Sequence, residues 1–116
     1  MEFDMDIKTE LSEGFTVLFI KEDRLDANNS EELKAELRRL FENGTKDLLI
    51  DLKEVLFIDS SGLGVLVSGY KNASIVHGSL KLSNLQTQVK SMFELTRLHR
   101  VFDIFTTVDD ALESYR

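Results

Sequence analysis

The chain contains no cysteine, and its 116 residues hold only two histidines. The first absence removes disulfide frameworks, thiolate nucleophiles and Cys-based metal sites. The two histidines, without carboxylates at matching spacing, make no case for a metal centre. No apolar run approaches the ~20 residues that a membrane-spanning helix needs, and Met1-Glu2-Phe3-Asp4-Met5-Asp6 lacks the basic start and apolar core of a signal peptide. The expected location is the cytoplasm. Positive charge is also scarce: 14 Lys and Arg stand against 21 Asp and Glu, a net charge of −7. Such a surface repels nucleic acid and anionic membrane, and favours a partner with a basic contact patch.

The rest of the composition, 42% hydrophobic and 30% charged, belongs to an ordinary globular protein. Residues 1–116 are expected to form one domain, long enough for a core without covalent staples. Asp6 to Leu11 alternates apolar and polar residues, and Phe15 to Ile20 reads as a buried strand after a turn at Glu13-Gly14, so an antiparallel hairpin is expected. Leu33, Leu37, Leu40 and Phe41 mark one face of a helix, with Asn29 or Ser30 as its cap and Asn43-Gly44 as its end. Asp47 to Leu52 is a buried strand, and Val55 to Ile58 leads into a serine loop. Leu63, Leu66, Val67, Tyr70 and Ala73 mark a second helix, and Leu80 to Leu82 a strand. Val89, Met92, Phe93 and Thr96 mark a third helix, Asp103 to Thr106 a last strand, and Val108, Ala111, Leu112 and Tyr115 a terminal helix. Strands alternating with helices after a hairpin predict a mixed, mainly parallel α/β sheet with about four packed helices.

The run Ile58-Asp59-Ser60-Ser61-Gly62-Leu63-Gly64 stands between the strand-like and helix-like segments. Glycine at Gly62 and Gly64 costs the helix about 1 kcal/mol each against alanine, so a tight turn, a close helix-to-sheet approach or room for another molecule must be gained. Ser60 and Ser61 are expected where free backbone N–H groups point outward, at the positive end of the helix. A phosphate of roughly −1.5 to −2 charges is tolerated there. A modified Ser60, near Asp59 and Asp26, would form a dense negative spot that repels whatever docks on the neutral loop. The plainer alternative is that Asp59, Ser60 or Ser61 is only the helix cap, a role these residue types favour.

This serine motif, the preceding Leu49-Ile50-Asp51-Leu52, the earlier Leu25-Asp26 and the late Val101-Phe102-Asp103-Ile104-Phe105 together resemble the STAS domain, and more narrowly the bacterial anti-sigma factor antagonists. The resemblance runs through nearly the whole chain in the right order. It implies a non-enzymatic partner switch without a cofactor. The unmodified protein binds a serine-kinase anti-sigma factor, which releases its sigma factor. The kinase phosphorylates Ser60 at the expense of ATP and lets go, and a metal-dependent serine/threonine phosphatase resets the protein. Asp26 matches the family's loop acid beside the phosphorylation site, and Ser61, Gly62, Leu63 and Gly64 match the docking surface; Asp59, beside Ser60, is also expected to take part in partner binding. A monomer or weak dimer is expected. The chain departs from many relatives at Glu22-Asp23-Arg24, where they carry glycine before the Leu–Asp pair, and at Arg97, where they carry glycine before a leucine. Arg97 is expected to avoid a left-handed cap.

Other functions are weighed against this one. A phosphoaspartate receiver domain would use Glu22-Asp23 as metal-binding acids and Asp51 or Asp59 as phosphoacceptor, but no lysine follows the last strand. A serine hydrolase would need the Gly-x-Ser-x-Gly elbow, which is absent, and a base within reach, whereas His77 lies near the far end of the helix that Ser60 begins. No Gly-x-x-x-x-Gly-Lys-Ser/Thr loop is present, so ATP is expected on the kinase. A subunit of a larger sensory assembly would need its sensor from another protein.

Overall fold

The computed structural model describes residues 5–116; residues 1–4, part of the segment read above for a leader, lie outside them. Chain order is β1 (Ile7–Ser12), β2 (Phe15–Ile20), β3 (Arg24–Leu25), α1 (Ser30–Glu42), β4 (Asp47–Asp51), β5 (Phe57–Ile58), α2 (Ser60–Ile75), β6 (Ser79–Ser83), α3 (Thr87–Leu95), a 3-10 turn at Leu98–Arg100, β7 (Ile104–Phe105) and α4 (Val108–Glu113). The strands form two sheets. Five run in the order β1-β2-β4-β6-β7, and β3 pairs with β5 alone. β1 is antiparallel to β2 and every other pairing is parallel. The expected hairpin, mainly parallel sheet and packed helices are all present.

The β1–β2 connection is two residues, Glu13 at φ 53° and Gly14 at φ 88°. Two consecutive left-handed residues match the twist of the flanking strands, which is why glycine stands in the second position. In β2 and β4 the side chains alternate between two covered faces. Leu18, Ile20, Leu48 and Ile50 join the main core with Leu33 and Leu37 of α1 and Leu63 and Leu66 of α2. Val17 and Leu49 point the other way, against Ala111 and Leu112 of α4. Burial on both faces explains why Asp-Leu-Leu-Ile-Asp-Leu reads as a continuous apolar run rather than an alternation.

Two details differ from expectation. Asn29 occupies the position before α1, yet its side chain does not cap that helix. Its Oδ1 instead accepts from the Asp26 amide at 3.0 Å while its Nδ2 donates to the Arg24 carbonyl at 2.8 Å. Arg97 does adopt the left-handed conformation, φ 62° and ψ 16°. It is exposed, its N–H donates to the Glu94 carbonyl at 3.1 Å, and it links α3 directly to the 3-10 turn. Those local bonds offset the steric cost of a side chain in that region.

Candidate functional site

The site grows from the small β3–β5 sheet. Leu25 lies opposite Ile58, and the Asp59 N–H donates to the Leu25 carbonyl at 3.1 Å. Asp26 and Asp59 therefore leave their strands side by side, as the sequence suggested they should. β5 is held on its other side by one side chain. Gln88 of α3 accepts from the Ile58 N–H at 3.0 Å and donates to the Ile58 carbonyl at 3.3 Å. It completes the backbone hydrogen bonding of the last strand residue before the serine motif. No local pattern pointed to Gln88, because its partner is 30 positions away.

Asp59 is the residue that caps α2. Its Oδ1 accepts from Ser61 N at 2.9 Å and Gly62 N at 3.1 Å. The expectation of outward-pointing free amides at Ser60 and Ser61 is thereby corrected at Ser61, whose N–H is already used by the cap, as is that of Gly62. Ser60 is the first helical residue and is exposed; among the described residues nothing hydrogen-bonds its hydroxyl. Capping and exposure have been divided between neighbours, so the serine hydroxyl is left available.

The two glycines are there for different reasons. A Cβ on Gly62 would lie 2.6 Å from the Leu25 carbonyl oxygen and 2.7 Å from Ile58 Cγ1, so this glycine lets α2 sit directly on the β3–β5 pair. A Cβ on Gly64 would meet nothing within 4 Å, and the residue is exposed. Gly62 and Leu63, expected on the contact surface, are buried. They seat the helix, and the outward surface is left to Ser60, Ser61 and Gly64.

Asp26 is partly covered and well tied. Its Oδ1 accepts from Asn28 N at 3.0 Å, and Oδ2 lies 3.3 Å from Arg24 Nε. The Arg24 guanidinium in turn rests over the Phe57 ring, 4.4 Å from its centroid. The turn at Glu22-Asp23-Arg24 holds without glycine because the Asp23 carbonyl accepts from Leu56 N at 2.8 Å and Phe57 N at 3.1 Å.

The rival chemistries find no matching geometry. Asp51 is buried and accepts from Ser83 Oγ at 2.9 Å, Asn84 Nδ2 at 2.6 Å and Lys53 N at 3.3 Å, a knot joining the ends of β4 and β6 rather than an open phosphoacceptor. Glu22 is engaged by the Asp6 N–H at 2.8 Å. His77 lies just beyond the far end of the 16-residue α2, roughly 25 Å from Ser60 at the helical rise. His99 sits in the 3-10 turn with Nδ1 3.3 Å from the Phe93 carbonyl. No helix among the described residues is long and apolar enough to cross a membrane.

Comparison with known proteins agrees with this geometry. The model of the STAS domain matches residues 6–111. The chain belongs to the STAS domain family. The Anti-sigma-B factor antagonist of Bacillus subtilis is 40% identical to it over 80 residues, 69% of this chain and 72% of that protein. The structure of the anti-sigma factor antagonist SpoIIAA in its unphosphorylated form superposes with a TM-score of 0.82 at 19% identity, covering 96% of each chain. The phosphorylated form of SpoIIAA, the Bacillus cell fate determinant, gives 0.75 at 19% identity, over 96% of this chain and all of that one. At that identity the two superpositions establish the shared fold. The STAS topology, with its antiparallel first strand and second small sheet, also replaces the receiver-domain alternative.

Proposed function

We propose that this protein is an anti-sigma factor antagonist, switched by phosphorylation of Ser60. In this reading the unmodified form binds a serine-kinase anti-sigma factor in the cytoplasm and sets its sigma factor free. The kinase transfers the γ-phosphoryl group of ATP to the Ser60 hydroxyl, and a metal-dependent serine/threonine phosphatase removes it. The protein itself performs no catalytic step.

The observation that carries the reading is the division of labour at the start of α2. Asp59 does the capping, so the exposed Ser60 hydroxyl has no structural duty. A phosphate there adds about −1.5 to −2 charges in solvent, at a helix end whose dipole favours anions. The fold therefore has little to lose. The docking surface changes sharply, because the new charge stands beside Asp59 and Asp26. The open flank at Gly64 suits a partner whose backbone comes close to the helix. Asp26, fixed by Arg24 and Asn28, would present a carboxylate of set orientation to that partner.

The direct test is incubation with the kinase and ATP, followed by mapping of the phosphorylated residue by mass spectrometry; phosphate on Ser60 is expected. Ser60→Ala should stay bound to the kinase in the presence of ATP. Ser60→Asp should bind weakly while its unfolding free energy stays within about 0.5 kcal/mol of the parent, as for an ordinary surface change. Phosphate found elsewhere, or a Ser60→Asp protein that unfolds, would overturn the reading.

A further inference from the structure

The main sheet ends in two unlike edges. On one side β7 is only two residues long, and on the other β1 offers six. Long open edges present unpaired backbone groups to other chains. Within β1, which residues face outward can be worked out. The two-residue turn makes Ser12 and Phe15 a directly hydrogen-bonded pair, and the Lys21 N–H donates to the Asp6 carbonyl at 2.9 Å at the far end. Antiparallel pairs alternate between bonded and non-bonded. Asp6, Lys8, Glu10 and Ser12 therefore turn their backbone groups toward β2. Ile7, Thr9 and Leu11 turn theirs outward.

The side chains then single out one partner. Lys8 and Glu10 share one face, are exposed at 62% and 49%, and pair with each other at 3.0 Å. Leu11 is 78% exposed and lies on the opposite face together with Ile7. A second copy running antiparallel along this edge can keep the pleat in register about Lys8, Thr9 or Glu10. Centring on Lys8 would set lysine against lysine, and centring on Glu10 would set glutamate against glutamate. Centring on Thr9 sets each Lys8 against Glu10 of the other copy and each Leu11 against Ile7. Opposite charges directly across strands are favourable and like charges unfavourable, so charge alone selects one register of three.

We propose that two copies of this chain associate through their β1 edges about a twofold axis at Thr9, which pairs Lys8 with Glu10 and Leu11 with Ile7 and joins the two five-stranded sheets into one. The contact is isologous, closes on itself and uses none of the residues around Ser60.

Sedimentation velocity over a concentration series tests the pairing, with circular dichroism to confirm that each variant is folded. The parent should shift from monomer to dimer as concentration rises. Lys8→Glu and Glu10→Lys should each weaken self-association roughly 10-fold or more, since each turns both symmetric pairs repulsive. The double exchange Lys8→Glu with Glu10→Lys should restore it, as should mixing the two single variants. A measurement on the unaltered chain supplies a second check: amide exchange at Ile7, Thr9 and Leu11 should slow with concentration, whereas the amides of Lys8 and Glu10, already bonded to β2, should not change. A parent that stays monomeric to about 1 mM, single variants that associate like the parent, a double exchange that stays monomeric, or protection gained elsewhere instead would each overturn the proposal.

Discussion

At the scale of single residues, two glycines only two positions apart at the start of α2, Gly62 and Gly64, make opposite predictions. Gly62→Ala gains helix propensity of about 1 kcal/mol but drives a Cβ into the Leu25 carbonyl and Ile58. Overpacking of this kind typically costs about 1–3 kcal/mol, and the obstacle here is backbone, which yields poorly. Net destabilisation is expected, read as a lower denaturant midpoint. Gly64→Ala meets open space, so the same propensity gain should appear as a higher midpoint, together with weaker binding to the kinase of the proposed switch. If both variants were stabilised, α2 would not sit as closely on the small sheet as described. Had Gly64→Ala left kinase binding untouched, that flank would be free of the interface.

The elements show where sequence reading reaches and where it stops. β2, β4, α1 and α2 were legible because each carries a long apolar period that burial demands. The strands β3 and β5 have two residues apiece, too few for any period, and their pairing is visible only once the chain is folded. The serine motif was legible by its composition, but which of Asp59, Ser60 and Ser61 caps the helix was not, since all three types can. Arg97 shows the reverse error: a sound steric rule was outweighed by the bonds on either side of it. Gln88 belongs to this scale, because it ties α3 to β5. Gln88→Ala should leave the partly buried Ile58 N–H without its partner, a loss of about 1–3 kcal/mol measurable by chemical denaturation. Phosphorylation of Ser60 should also slow, as the strand leading into the motif loosens. A variant with the parent's stability would mean that water takes over both bonds.

Across the whole molecule, the second face of the main sheet is closed by the C-terminal segment. The Tyr115 ring stacks on Phe15 with centroids 4.3 Å apart, and its hydroxyl donates to the Leu48 carbonyl at 3.3 Å. Arg116 pairs with Glu113 and with Glu13 of the first turn. Burial is the largest influence on the Tyr115 hydroxyl, pushing its pKa from 10.0 up to about 12. A group whose folded pKa lies above its unfolded value contributes stability that is complete below the unfolded pKa and is lost as pH rises through the folded one. The protein should therefore lose stability between about pH 10 and about pH 12 as the unfolded chain ionises first. Tyr115→Phe should begin less stable at neutral pH, having lost the hydroxyl bonds, and the gap to the parent should narrow across that window. A constant gap in unfolding free energy over the same range would contradict this account.

The vacant flank at Gly64 has a consequence for evolution. Because no neighbouring atom constrains that position, residues along it can drift without harm to folding, while those beneath Gly62 cannot. If Ser60 is the switch proposed above, a genome carrying several such chains can thus insulate its circuits from cross-talk by varying one exposed strip, and leave the scaffold beneath Gly62 untouched.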